Sequence, residues 1–170
     1  FIENKNSYIF VIALILGLSL TRLIPHPWNF SPMLAVGVFS GFYFRQFYLS
    51  SFVVIFSMFI GDLFLGFHNT MFFTYIALAI AVLIGLYLKT LKFNGILYSS
   101  LTGSAFFFLI TNFGVWLLSS MYEKSFAGLL QAYVMGIPFF QNTLISTFIY
   151  LVAFKLIYDS VKKKLLNYSI

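Results

Sequence analysis

An aspartate and an arginine set into otherwise apolar segments are the first residues of this chain with chemistry to offer. Asp62 lies toward the end of the apolar run Phe47–Gly66, and Arg22 closes the run Tyr8–Ile24. An ionisable group in apolar surroundings is costly unless it is paired or solvated, so the two make either a structural ion pair or part of a polar site. Thr111 and Asn112 in the run Ile96–Leu118, and Gln141, Asn142 and Thr143 in the run Ile137–Tyr158, add hydroxyls and amides. Interhelical hydrogen bonding alone accounts for amides in such segments. If the runs span a membrane, however, all these groups fall at one depth, which points to a shared polar cavity with Asp62 and Asn112 as its leading members. The opposite halves of the runs read as almost wholly apolar.

A stiff loop lies on the same side. Pro25, Pro27 and Pro32 forbid a regular helix through His26–Ser31, since each removes an amide donor and restricts the residue before it. His26, Trp28 and Asn29 in this loop can cover a pocket and supply amide and stacking contacts to an organic ligand, or Trp28 can simply anchor the loop at a lipid boundary. His26 and His68 also raise the question of a metal, but two histidines without local ligand spacing make no motif, and no metal or cofactor is expected.

Enzyme chemistry finds little support. The sequence has no cysteine, which removes thiol catalysis, disulfides and thiolate metal sites together. It contains no phosphate-binding loop, dinucleotide fingerprint, zinc-protease motif or nucleophile elbow, and its 4 acidic residues are too few for a multi-metal cage. The expectation is a protein that is not an enzyme.

The elements that must position these residues follow from composition. Hydrophobic residues make up 61% of the chain and charged residues 8%, too little polar material to coat a water-soluble globule. Its 170 residues read as a single integral membrane domain, residues 1–170. Backbone groups in hydrocarbon must bond internally, so each long apolar run predicts a helix. The reading is an all-α, polytopic membrane bundle of about six helices, at Tyr8–Ile24, Met33–Phe44, Phe47–Gly66, Met71–Leu88, Ile96–Leu118 and Ile137–Tyr158. The second reaches only about 18–20 Å against a core of about 30 Å, so it is expected to be extended, tilted or matched by thinner lipid. Residues 126–136 predict a short interfacial or re-entrant helix capped by Ser125, with a bend near Gly136 and Pro138 before the last span.

Six crossings place Lys5, Arg45, Lys89, Lys92, Lys155 and Lys162-Lys163-Lys164 on one side and only Arg22 and Lys124 on the other. That asymmetry predicts both termini in the cytoplasm and an inner (plasma) membrane location, with the lipid bilayer rather than nucleic acid as the partner of the basic residues. Tyr8, Tyr43, Tyr48, Tyr87, Tyr98 and Tyr158 fall at the inner boundary, as amphipathic rings prefer. Small residues at close-packing intervals, Ala13 and Gly17, Gly37 and Gly41, Ser57 and Gly61, and Ala77, Ala81 and Gly85, predict tight helix seams.

The segments LIPHPWNFSPMLAVGVFSG, GDLFLGFHNTMFFTY, TNFGVWLLSSMYEKSFAGLL and GIPFFQNTLI resemble an uncharacterised family of small bacterial integral membrane proteins. That family is similar in turn to the S components of energy-coupling-factor vitamin transporters. The likeness lies in the proline-containing loop, the helix start Phe30-Ser31-Pro32, Gly37 and Gly41 in the second helix, and Gly61-Asp62 at the end of the third. The paired alanines of the S-component first helix are replaced here by Ala13 and Gly17. The resemblance implies capture of a small-molecule ligand on the outer side and docking to a transmembrane coupling subunit with ATPases. The expected function is substrate binding for uptake of a small organic solute, vitamin-like or nucleobase-like, through Arg22, His26, Trp28, Asn29, Asp62, Asn112, Gln141 and Asn142. A structural or assembly subunit of cell-envelope machinery, similar in size to rod-shape accessory proteins, is the alternative.

Overall fold

The computed structural model describes residues 9, 12, 13, 15–17 and 19–167, with 161–167 as backbone only. The expected helix start at Tyr8, the charge Lys5 and the side chains of Lys162, Lys163 and Lys164 lie outside the described residues. The described part of residues 9–19 is helical (α1) and tightens into a 3-10 turn, Leu20–Leu23. Then follow α2 (Met33–Phe44), α3 (Phe47–Leu65), α4 (Met71–Tyr87), α5 (Phe93–Leu118) and α6 (Phe126–Asn167). All regular structure among the described residues is helical.

Local chemistry sets most of the breaks. The prolines keep 24–32 irregular, and the chain turns between Pro27 and Phe30, with the Phe30 amide bonded to the Pro27 carbonyl at 3.0 Å. Asn29 sits at φ 60° in that turn, a left-handed position that asparagine tolerates. Arg45, also left-handed at φ 55°, ends α2. Gly66 ends α3 at φ 93°, where a side chain would be strained.

Contacts between helices fix their directions. Phe39 stacks on Phe154 at 4.6 Å and Tyr43 meets Tyr158 at 6.0 Å, so α2 and α6 run parallel. Gly37 faces Leu78 and Ala81 while Gly41 faces Val82 and Leu86, so α2 and α4 run parallel too. By contrast Gly103 lies near Ile84 and Gly114 against Phe73, which makes α5 antiparallel to α4. The chain therefore alternates in direction from α2 to α6.

The short second helix occupies the centre. Ten of the twelve residues of α2 are buried, and it touches α3, α4, α5 and α6. Ringed by other helices, α2 presents little surface outside the bundle, and it is not extended beyond the expected run. Its observed bounds, Met33–Phe44, are those expected.

Among the described residues, three helices are long and apolar enough to cross a membrane: α3, α5 and the segment Phe126–Ser160 of α6. Tyr48, Tyr87 and Tyr98 are exposed, whereas Tyr43 and Tyr158 pack on each other within an aromatic cluster. The expected separate helix over 126–136 is corrected. Those residues are the first part of α6, which runs unbroken through Gly136 and Pro138 to Asn167. Pro138 removes only one amide, and the segment before it is held along the C-terminal part of α5. There Ala132 is buried, the Tyr133 hydroxyl donates to the Leu109 carbonyl at 3.1 Å, and Gly136 receives the Asn112 side chain. The expected cap is present, with the Ser125 hydroxyl accepting from the Gly128 amide at 3.1 Å.

Glycine makes the α2–α4 crossing possible. A Cβ at Gly41 would strike the Val82 carbonyl, and one at Gly85 the Val38 carbonyl, both backbone atoms with nowhere to move. Gly17, by contrast, faces open space among the described residues. Gly41→Ala and Gly85→Ala should each lower stability by about 1–3 kcal/mol, while Gly17→Ala should change little. Thermal unfolding in detergent checks the contrast.

Candidate functional site

The turn that follows α1, the C-terminal end of α3 and the N-terminal end of α4 meet at one carboxylate. Asp62 is 1% exposed, and its Oδ1 accepts from Arg22 Nη2 at 3.0 Å while its Oδ2 accepts from the Tyr75 hydroxyl at 2.9 Å. Arg22 Nη1 donates to the Met58 carbonyl, one turn earlier on α3, at 3.2 Å. The guanidinium lies over Gly61, where a Cβ would stand 2.6 Å from Nη1. The spacing Met58, Gly61, Asp62 puts a carbonyl, a gap and a carboxylate on one helical face. Asp62 pairs with a cation that is 12% exposed, which answers most of the cost of burying its charge.

The proline loop closes over this end of the bundle through α6. Asn142 Nδ2 donates to the Trp28 carbonyl at 2.9 Å, and the Phe30 ring lies 6.3 Å from that of Tyr150. The Tyr150 hydroxyl in turn sits 3.5 Å from Thr21 Oγ1, next to Arg22. The loop is thus tied to α6 at two levels. The Trp28 ring itself is 80% exposed and faces outward.

Of the residues expected to share a site, Arg22, Asp62 and Asn142 are brought into this region, with Trp28 engaged through its carbonyl. Asn29 serves the loop turn, and its side chain is exposed. Asn112 is placed differently from expectation. Its Nδ2 donates to the Phe108 carbonyl of its own helix at 2.8 Å, and its Oδ1 lies in the gap at Gly136, so it joins α5 to α6. Gln141 is exposed, on the other side of the helix from its buried neighbour Thr143. His26 and His68 are both exposed and each turns to a local partner, the Pro27 carbonyl at 2.9 Å and Thr70 Oγ1 at 3.0 Å. The expected cluster therefore divides into a charged centre on α1, α3 and α4 and an amide joint between α5 and α6.

Tyr75 and Tyr150 are the members that sequence reading missed. Tyrosine in an apolar helix resembles any other aromatic residue, and only a facing carboxylate gives its hydroxyl a special role. The halves of the helices away from Asp62 also hold more polarity than expected. Ser40, Ser50, Ser99, Ser100 and Ser104 are buried there or near mid-helix.

Chemically, the centre is a neutral ion pair with unequal reserves. Both Asp62 oxygens are engaged, whereas Arg22 keeps N–H donors that have no partner among the described residues. Such donors suit a carboxylate or carbonyl acceptor.

Residues 2–168 match the model of DUF6580, a family of unknown function. No curated protein and no solved structure matches the chain.

The pair should show the asymmetry of buried charges. Arg22→Met or Asp62→Leu alone should destabilise by about 3–5 kcal/mol, and the double substitution should recover most of that loss. Tyr75→Phe should cost about 1.5–3 kcal/mol, because its bond is to a charged acceptor. Chemical or thermal unfolding of the purified variants measures all four.

Proposed function

The chain belongs to DUF6580, and from that premise we propose that it is a membrane-embedded subunit that binds a small organic solute from the outer side for uptake, with no chemistry of its own. One observation carries this reading. Arg22 is held by Asp62 and the Met58 carbonyl, yet it keeps N–H donors that have no partner among the described residues, beneath a loop pinned to α6. Holding the guanidinium in place beforehand lowers the ordering cost of capturing an acceptor group. Vitamin-like or nucleobase-like solutes with a carboxylate or ring carbonyl fit that chemistry.

In this reading the bundle crosses the inner membrane six times. The alternating helix directions and the burial of α2 among α3, α4, α5 and α6 support six crossings, with Phe72, Ile76, Leu83 and Tyr87 of α4 on the outside of the bundle. Arg45, Lys89, Lys92 and Lys155 belong to one end and Arg22 and Lys124 to the other, which favours cytoplasmic termini. The resemblance to S components extends the proposal to a coupling subunit with ATPases, docked on the cytoplasmic side.

A second reading, a structural or assembly subunit of a cell-envelope complex, is favoured by a specific observation. Asp62 is fully engaged inside the chain, as a purely structural pair would have it.

Native mass spectrometry for retained ligand, followed by thermal-shift screening of vitamins and nucleobase-like solutes, separates the two. Solute binding should weaken about ten- to hundredfold in Arg22→Lys, which keeps the charge but loses the planar donors. It should persist in Asn112→Ala. Undiminished binding in Arg22→Lys would sink the proposed site, and co-purification with envelope-synthesis proteins but never an ATPase would favour the second reading. Orientation is open to a clean test because the chain lacks cysteine. In intact cells an impermeant maleimide should label Asn69→Cys, and should reach Thr90→Cys only after permeabilisation. The reverse pattern would overturn the topology.

A further inference from the structure

Most hydroxyls in this bundle satisfy themselves in one way. Ser57, Thr102, Thr111, Thr143 and Thr147 each donate to the backbone carbonyl one turn earlier, the usual course for these residues inside a helix. Ser100 and Ser104 do not. Both are 0% exposed, and neither hydroxyl has a partner among the described residues. The Ile96 carbonyl, one turn before Ser100, already accepts from Ser99. A hydroxyl removed from water with nothing to bond pays its full desolvation penalty, and two such groups side by side point to a guest.

The spacing suits one. Residues four apart lie on the same helical face, about 5–6 Å between their Cβ atoms, so a single small group can bond both hydroxyls. The register of the α5–α6 pair supplies the opposite wall. Asn112 meets Gly136, and Phe108 meets Phe140 with ring centroids 5.4 Å apart, so a step of four along α5 matches a step of four back along α6. Continuing that register brings Ser104 and Ser100 level with the segment holding Thr143 and Thr147. Those threonines share the α6 face of Gly136 and Phe140. They are buried, and their protons are committed to backbone carbonyls.

The guest must be uncharged. Among the described residues the carboxylates are spoken for or distant: Asp62 pairs with Arg22, Asp159 with Lys155, and Glu123 is exposed at the α5–α6 connection. A bare cation in a seam of hydroxyls would be left without a countercharge.

We propose that Ser100 and Ser104, with the Thr143–Thr147 face of α6, bind a neutral hydrogen-bonding guest: a water molecule, or the hydroxyl or amide group of a small solute. The site is separate from Arg22 and does not depend on the function proposed for it.

A double-mutant cycle in the full-length protein tests this. With a shared guest, Ser100→Ala and Ser104→Ala should each lower the melting temperature by about 2–4 °C, and the double substitution should be no worse than either alone. Effects that are zero, additive or stabilising would overturn the proposal, since empty hydroxyls gain from removal. Native mass spectrometry distinguishes the sources. An organic adduct on the wild type that disappears in the double variant assigns the guest to a solute, and coupled melting shifts without an adduct assign it to water. The cycle should be unchanged in an Arg22→Lys background, so failure here and failure of the Arg22 site are read independently.

Discussion

The close approach of α2 to α4 governs the rest of the bundle. At Gly37, Gly41 and Gly85 the two helices are near enough that a Cβ would meet the facing helix, twice at a backbone carbonyl. Because α2 is drawn in this far, the other helices can close around it, and ten of its twelve residues lose contact with the surroundings. Larger residues at these positions would push α2 outward and uncover its apolar sides.

The charged centre depends on the same packing. Arg22 reaches Asp62 only because Gly61 leaves a gap on α3 and the Met58 carbonyl lies one turn behind it. Tyr75 arrives from α4, held in register by the α3–α4 turn that Gly66 opens. Three helix ends therefore converge on one carboxylate, and the loop above them is tied to α6 by Asn142 and Tyr150. Binding energy from a solute at Arg22 would pass into elements that already share hydrogen bonds.

Legibility varied with the range of the interaction responsible. The bounds of α2 and the breaks at Pro25–Pro32 and Gly66 could be read directly, since proline geometry and hydropathy act over a few residues. The Arg22–Asp62 pair was also legible, because an unpaired charge in such apolar runs is too costly to leave alone. Asn112 misled. An amide in an apolar helix has several ways to be satisfied, and here it bonds its own helix and fills a gap at Gly136 rather than joining the carboxylate. Pro138 misled in the opposite direction, because a helix braced along α5 can absorb one missing amide.

By itself the sequence determined the all-helical character, the placement of most helices and the pairing of its buried charges, all of which follow from local sterics and the price of polar groups in apolar surroundings. The tertiary structure decided that α2 is central, that α6 is one continuous helix, that Tyr75 completes the carboxylate site and that Ser100 and Ser104 have no hydrogen-bond partners among the described residues. Each of these depends on which face of a nearly uniform apolar helix meets which neighbour. Hydropathy is blind to that choice when every face is apolar, and close packing at a few glycines makes it instead.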